Sequence, residues 1–165
     1  MIRLLTPPEV ERYRVDDTVR PHLSTQFRTT AGRSVWGLFE DKYSLYDEPS
    51  ADALAVICTA YTTAVPTNEQ ELDLYSQAAH QGGASSSVAV FYTVWSYERG
   101  AGQAVVNGVA EHIAHTRPSI RRWVTLSPLT RMAERFHLKN GAVFVDRYEE
   151  NQTFEYTHLF AASVE

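Results

Sequence analysis

The residues best suited to chemistry are Arg99-Gly100-Ala101-Gly102-Gln103-Ala104, set between an apolar run and a helical one. Glycines at a strand-to-helix turn let the backbone approach a ligand closely and aim several N–H groups at it, and the helix N-terminus adds partial positive charge. Such a turn suits a pyrophosphate. The same glycines also serve a tight turn that needs them for conformation alone, so both readings stand at this point. A Rossmann fingerprint would need glycine where Val105 stands, and no Gly-Lys-Ser/Thr follows to make a P-loop.

Other polar residues offer less. His112 and His115 come near metal-ligand spacing but have no third ligand close in sequence, and they read as solvated. Arg117, Arg121 and Arg122 read as a solvated edge, with the alternative of meeting a phosphate. Glu40, Asp41 and Tyr43 read as a polar turn, and Cys58, in an apolar run, as a small buried hydrophobe. Trp36, Trp95 and Trp123 read as core or sheet-face anchors. His80 and the small-polar stretch 82–87 read as a connector, or else a lid.

Elements must position these groups. Residues 2–5, 34–39, 53–62, 87–96 and 121–126 read as strands; 53–62 is apolar on both faces, as in the middle of a covered sheet. Thr6 ahead of Pro7, Pro8 and Glu9 marks a helix over about 8–20. Residues 67–81 suit a short helix or a mobile excursion. Val105, Val106, Val109 and Ile113 mark a helix over 103–115, with Pro118 beyond its end. Leu129, Met132, Ala133 and Phe136 mark another, closed by Asn140-Gly141, with Ser127-Pro128 suited to its N-cap and first turn. Residues 143–148 and 154–160 close the chain as strands joined across 149–152. The order predicts an α/β (α+β) fold, one domain over 1–165 with a mixed central sheet flanked by helices.

Composition agrees with this. The 165 residues are 44% hydrophobic and 21% charged, with a formal net charge of −5 and one cysteine. That is ordinary globular composition with no broad basic footprint, so nucleic acid is not expected as a partner. A membrane span and a secretory leader are not expected either, and a cytoplasmic location is.

The pattern Val94-x-Ser96-x-x-Arg99-Gly100-x-Gly102-x-Ala104 resembles the acetyl-CoA signature of the GNAT superfamily of N-acetyltransferases, and Ala133-x-x-Phe136-His137-x-x-x-Gly141-Ala142 resembles the family's penultimate helix. Within that superfamily, Trp123-Val124-Thr125-Leu126-Ser127-Pro128 and Phe136-His137-Leu138-Lys139-Asn140-Gly141-Ala142 are similar to two segments of the catalytic domain of malonyl-CoA decarboxylase. Trp36-Gly37-Leu38-Phe39 through Asp47-Glu48-Pro49, and Ala89-Val90-Phe91-Tyr92, point the same way.

The resemblance implies a GNAT-like domain with splayed strands that hold the pantetheine of coenzyme A near Val94. It makes the turn of Arg99, Gly100, Ala101, Gly102, Gln103 and Ala104 cofactor-binding, with backbone amides of residues 100–105 on the pyrophosphate. It makes Ser127 and His137 the catalytic pair: Ser127 for the departing carboxylate of a malonyl-type thioester, His137 as a general acid titrating near neutral pH. No metal is implied. The long insertion that the decarboxylases place between the two motifs is absent here, where 129–135 joins them directly, and their helical N-terminal domain has no counterpart. An acetyl-CoA-dependent N-acetyltransferase and a non-catalytic acyl-CoA-binding module are therefore the other functions to weigh. Pairing of the closing strands between subunits would make a homodimer through residues 143–160.

Overall fold

In a computed structural model, residues 1–41, 52–82 and 86–159 are described. Tyr43, the turn at 46–50, the 83–85 part of the small-polar stretch and the end of the last expected strand lie outside them.

The chain begins with strand β1 (Ile2–Leu4) and helix α1 (Pro7–Tyr13), which has a capping box: Thr6 and Glu9 satisfy each other's backbone N–H. A 3₁₀ turn, Arg14–Asp16, follows. The helix expected over 8–20 stops here because the Asp17 carboxylate accepts from the N–H groups of Val19 and Arg20 and folds the chain away. A short helix α2 (Thr25–Thr29), capped by Ser24, was not expected. Strands β2 (Ser34–Leu38) and β3 (Ala55–Thr62) lead to helix α3 (Glu69–Gln81), capped by Asn68. Strand β4 (Val88–Ser96), helix α4 (Ala101–Thr116), strands β5 (Arg122–Thr125) and β6 (Ser127–Pro128), helix α5 (Arg131–Lys139) and strands β7 (Val143–Arg147) and β8 (Asn151–Glu155) complete the fold.

Strand β3 is buried throughout and its side chains alternate between two cores. Ala55 and Ile57 join Val105, Val109 and Ile113 of α4; Val56, Cys58 and Ala60 join Val10, Leu23 and Leu72 from α1, α3 and the loop before α2. The fully apolar run read from the sequence is thus the middle of a two-faced sheet.

The sheet order is β1-β2-β3-β4-β5/β6-β8-β7. Among the described strands only β4 and β5 pair in parallel, and their register ends at Phe91 opposite Thr125. One further bond, from Leu126 N–H to Phe91 O at 3.0 Å, closes the vertex. Beyond it β4 continues to Ser96 with no partner on that side, while the other chain turns into β6 along the edge of β8. The sheet therefore splits at its centre.

Two sequence expectations need correction. Ser127-Pro128 does not cap α5; it forms β6, and Thr130 is the cap, accepting from Ala133 N–H. The last strand begins at Asn151, not Phe154, and ends at Glu155. Asn151, Gln152 and Thr153 are polar but buried, and the Gln152 side-chain amide donates to the carbonyls of Pro128 and Thr130. Hydrophobic patterning is blind to a strand whose buried side chains are polar.

The loop after α1 is locked by an ion pair between Asp17 and Arg28 at 2.8 Å, both side chains wholly buried. Arg28 also donates to the carbonyls of Leu23 and Arg20. Removing one partner of a buried pair strands the other's charge, so Asp17→Ala is expected to cost about 3–5 kcal/mol. Urea unfolding of the variant beside the wild type measures this.

Candidate active site

The split in the sheet opens a cavity of about 320 Å³, in the range of small-molecule sites. One wall is β4 from Phe91 to Ser96 and another is Leu126–Pro128. Gly102 and Val106 of α4 and Ala133, Phe136 and His137 of α5 cover one side, and Thr18 and Val19 reach the other. Of the residues expected to act, Val94, Gly102, Ser127 and His137 line this one space. Arg99, Gly100, Ala101, Gln103 and Ala104 do not line it; they form the turn that runs from Ser96 into Gly102.

That turn is built as a helix start without a side-chain cap. Gly100 sits at φ +82°, the left-handed region that glycine adopts without strain. The amides of Gly102 and Gln103 belong to the first helical turn, whose N–H groups have no carbonyl before them in the helix. Gly102 packs closely as well: a Cβ there would lie 3.2 Å from the ring of Phe136, which would have to give by a few tenths of an ångström.

Helix α5 carries His137 into the wall between Phe136, Phe154 and Tyr156, with the ring stacked on Phe154 at 5.6 Å. The helix ends at Gly141 (φ +98°), where Ala142 N–H bonds back to His137 O. His137 Nδ1 lies 2.7 Å from the Tyr156 hydroxyl. That hydroxyl also accepts from the Asn140 side-chain amide at 3.4 Å, so its own proton is free to go to Nδ1. On this assignment from the network, Nε2 carries the ring proton.

Burial pushes the His137 imidazole down from 6.5 to about 4. The ring is therefore neutral at physiological pH, which corrects the expectation that it titrates near neutrality. A neutral ring with Nε2–H is a hydrogen-bond donor. The Tyr156 hydroxyl, raised to about 12 by the same burial, stays protonated.

Ser127, also buried, donates from Oγ to Thr125 Oγ1 at 2.8 Å, and Thr125 Oγ1 accepts in addition from Phe154 N–H. The hydroxyl is thus held in place rather than free to spin. Its proton can swing to a carboxylate if Thr125 donates in return, because each hydroxyl both donates and accepts.

Sequence reasoning missed Tyr156, Thr125 and Arg20. Two of them had a signal. Tyr156 follows Phe154, and Thr125 precedes Ser127, each at the two-residue spacing that puts strand side chains on one face. Arg20 had none. It is buried, and its guanidinium donates to Tyr92 O at 2.8 Å, Leu126 O at 2.9 Å and Asn151 Oδ1 at 3.0 Å, with Glu69 at 2.6 Å.

The other candidates lie elsewhere. His112 packs on Trp36 and Arg117 stacks on Tyr61, while Arg122 pairs with Glu155. Asp41 meets the N-terminal ammonium, and Cys58 is buried with its thiol pushed up to about 12. Trp36 and Trp123 are core, whereas Trp95 lines the cavity. Among the described residues no group of three or more His, Cys, Asp or Glu side chains could hold a metal ion, and no helix is long and apolar enough to cross a membrane.

The chain has the GNAT fold. The GNAT-like decarboxylase GphF, solved with isobutyryl-CoA, superposes with a TM-score of 0.65 at 13% identity, over 88% of this chain and 87% of that one. Arabidopsis thaliana NAA60, solved with acetyl-CoA, gives 0.60 at 14% identity, over 94% and 97%. Malonyl-CoA decarboxylase from Agrobacterium vitis gives 0.56 at 21% identity, over 82% of this chain but 35% of that one. The chain thus spans about a third of that decarboxylase's length. No protein-family model and no curated protein sequence matches it.

The neutral His137 leads to a direct check. Its ¹³Cε1 resonance should titrate with a midpoint near 4 rather than 6.5. The unfolded chain then binds more protons in that window, so His137 removes stability as pH falls from 6.5 towards 4. Replacing it with Gln should flatten the acid limb of the stability curve over that window, and a ring titrating near 6.5 in the folded protein would contradict the assignment.

Proposed function

We propose that this chain is an acyl-CoA enzyme that decarboxylates a short malonyl-type CoA thioester. The observation that carries the reading is the convergence of Ser127 and the neutral His137 on one cavity in the split of a GNAT sheet. Malonyl-CoA decarboxylase and GphF, which share this fold, support it by their names and by the isobutyryl-CoA bound in the latter.

In this reading the pantetheine runs along β4 past Val94. The pyrophosphate rests at the 99–104 turn on the amides of Gly102 and Gln103, where the start of α4 is positive, while Ala101 and Ala104 N–H are spent on the carbonyls of Glu98 and Gly100. Ser127 donates a hydrogen bond to the substrate carboxylate and orients it. The bond from the α-carbon to the carboxylate breaks, CO₂ leaves, and the electron pair passes into the thioester as an enolate. His137 Nε2–H donates to the enolate oxygen, with Tyr156 on Nδ1 holding the ring in that tautomer. The α-carbon then takes one proton from a water molecule that enters as CO₂ leaves, giving the acyl-CoA product and hydroxide that solvent neutralises. Phe136, Val94 and Val106 keep the site dry, so these hydrogen bonds act at low dielectric.

The competing acyltransferase reading draws support from NAA60, which matches along nearly its whole length. Mass spectrometry of the protein with malonyl-CoA separates the two: CO₂ and acetyl-CoA, without any amine, are expected. His137→Ala should lower the rate by about 10²–10³-fold, the effect of losing an oxyanion donor, while CoA binding survives. Because the working ring is neutral, kcat should stay level from about pH 6 to 8 and fall only towards the acid side, where the ring protonates. Product that appears only when an amine is added would overturn the decarboxylase reading.

A further inference from the structure

The loop 17–20 spans the split on the side away from α4. Thr18 and Val19 line the cavity described above, and Arg20 lies across its vertex, joining the Tyr92 carbonyl of β4 to the Leu126 carbonyl that precedes β6. On the far side of Arg20 lies a second, polar cavity of about 560 Å³, lined by Arg20, His22, Asn68, Glu69, Glu149 and Asn151 among others. Val19 and Pro128 line both spaces and so form the partition between them, with Arg20 backing it from the second cavity.

The partition is held from every direction. Asp17 Oδ1 accepts from the N–H groups of Val19 and Arg20 and from the Thr93 hydroxyl of β4 at 3.0 Å, and Asp17 Oδ2 takes Arg28. Arg20 is neutralised by Glu69 and fixed to Asn151 of β8. Its charge and most of its donors are therefore spent within the protein. It acts as a strut, not as a binder of substrate carboxylate.

An acyltransferase needs an acceptor to reach the thioester carbon while α4 and α5 cover the other side. We propose that Val19 and Arg20 are specificity-determining residues that wall off the thioester from external nucleophiles, so that a bound acyl-CoA can lose CO₂ but cannot pass its acyl group to an amine or to water. Arg20 is a positioning residue here, acting through the width of the split, and Val19 is the side chain that faces the thioester space. The inference rests on the proposed binding of an acyl-CoA in that space.

The test offers hydroxylamine to the protein at saturating acetyl-CoA. Transfer would form a C–N bond to the acyl carbon and break the C–S bond, with the amine's proton going to the thiolate; hydroxamate and free CoA thiol should then appear in equal amounts. The wild type should stay at the uncatalysed background. Val19→Gly, which trims a residue already 36% exposed, and Arg20→Met, which removes the strut, should each raise hydroxamate formation by about tenfold or more, equivalent to lowering the barrier by about 1.4 kcal/mol.

A merely structural role for Arg20 would predict loss of function, not this gain of a new reaction. If Arg20→Met fails to fold, Val19→Gly decides alone. Fast transfer by the wild type, or background rates in folded variants that still bind acetyl-CoA, overturns the partition while leaving the acyl-CoA reading intact. Failure of the wild type to bind acetyl-CoA at all, measured by calorimetry, overturns both.

Discussion

Everything in this molecule turns on a hydrogen-bond ladder that stops early. Strands β4 and β5 pair in parallel only as far as Phe91 and Thr125, and β4 then runs on to Ser96 paired with β3 but, among the described residues, with no strand on its other side. Backbone groups in the middle of a sheet cannot be left unpaired without a cost comparable to a lost hydrogen bond each. The fold answers part of this demand internally, by placing a buried arginine on the Tyr92 and Leu126 carbonyls. The rest of the β4 edge faces a cavity, and an extended polar chain such as a pantetheine arm could take up the strand partner's place there. The split is at once the weakest part of the sheet and the part able to bind something.

Burial governs the chemistry of that space. Histidine in solution titrates close to neutrality, and a reading from residue type alone makes His137 a general acid titrating there. Enclosed by Phe136, Phe154 and Tyr156, the ring is stripped of solvation and stays neutral down to about pH 4. A neutral donor suits an oxygen that gains negative charge during the reaction, because it stabilises the product of bond cleavage without first pairing with the substrate carboxylate. The same enclosure keeps the Tyr156 hydroxyl protonated and fixes the tautomer.

Much of the fold was legible in the sequence because its long elements carry strong periodicity: the two-faced strand β3, the Val105-Val106-Val109-Ile113 stripe of α4, and the glycine stop after α5. The glycine turn and the Ser127 and His137 motifs could be read because dissimilar motifs fell in one order. What escaped reading shares a physical character. Asp17, Arg20, Arg28, Asn151 and Gln152 are polar residues that fold inward and satisfy one another across distant parts of the chain. Pattern rules send such residues to solvent, and only the tertiary structure shows what pairs with them. That is why α1 ended early, why β8 started early, and why the strut across the split was invisible.

The central claim is that an acyl-CoA lies in the split with its diphosphate on the α4 turn and its thioester at Ser127 and His137. It is tested most directly by titrating ¹⁵N-labelled protein with CoA and following backbone amide shifts. The account predicts the largest changes at Val94 to Ser96 and at Gly100 to Ala104, extending to Val19, Ser127 and His137 when acetyl-CoA replaces CoA, with helices α1 and α3 themselves quiet. An unperturbed turn at 100–104, or changes concentrated on helices α1 and α3, would contradict it.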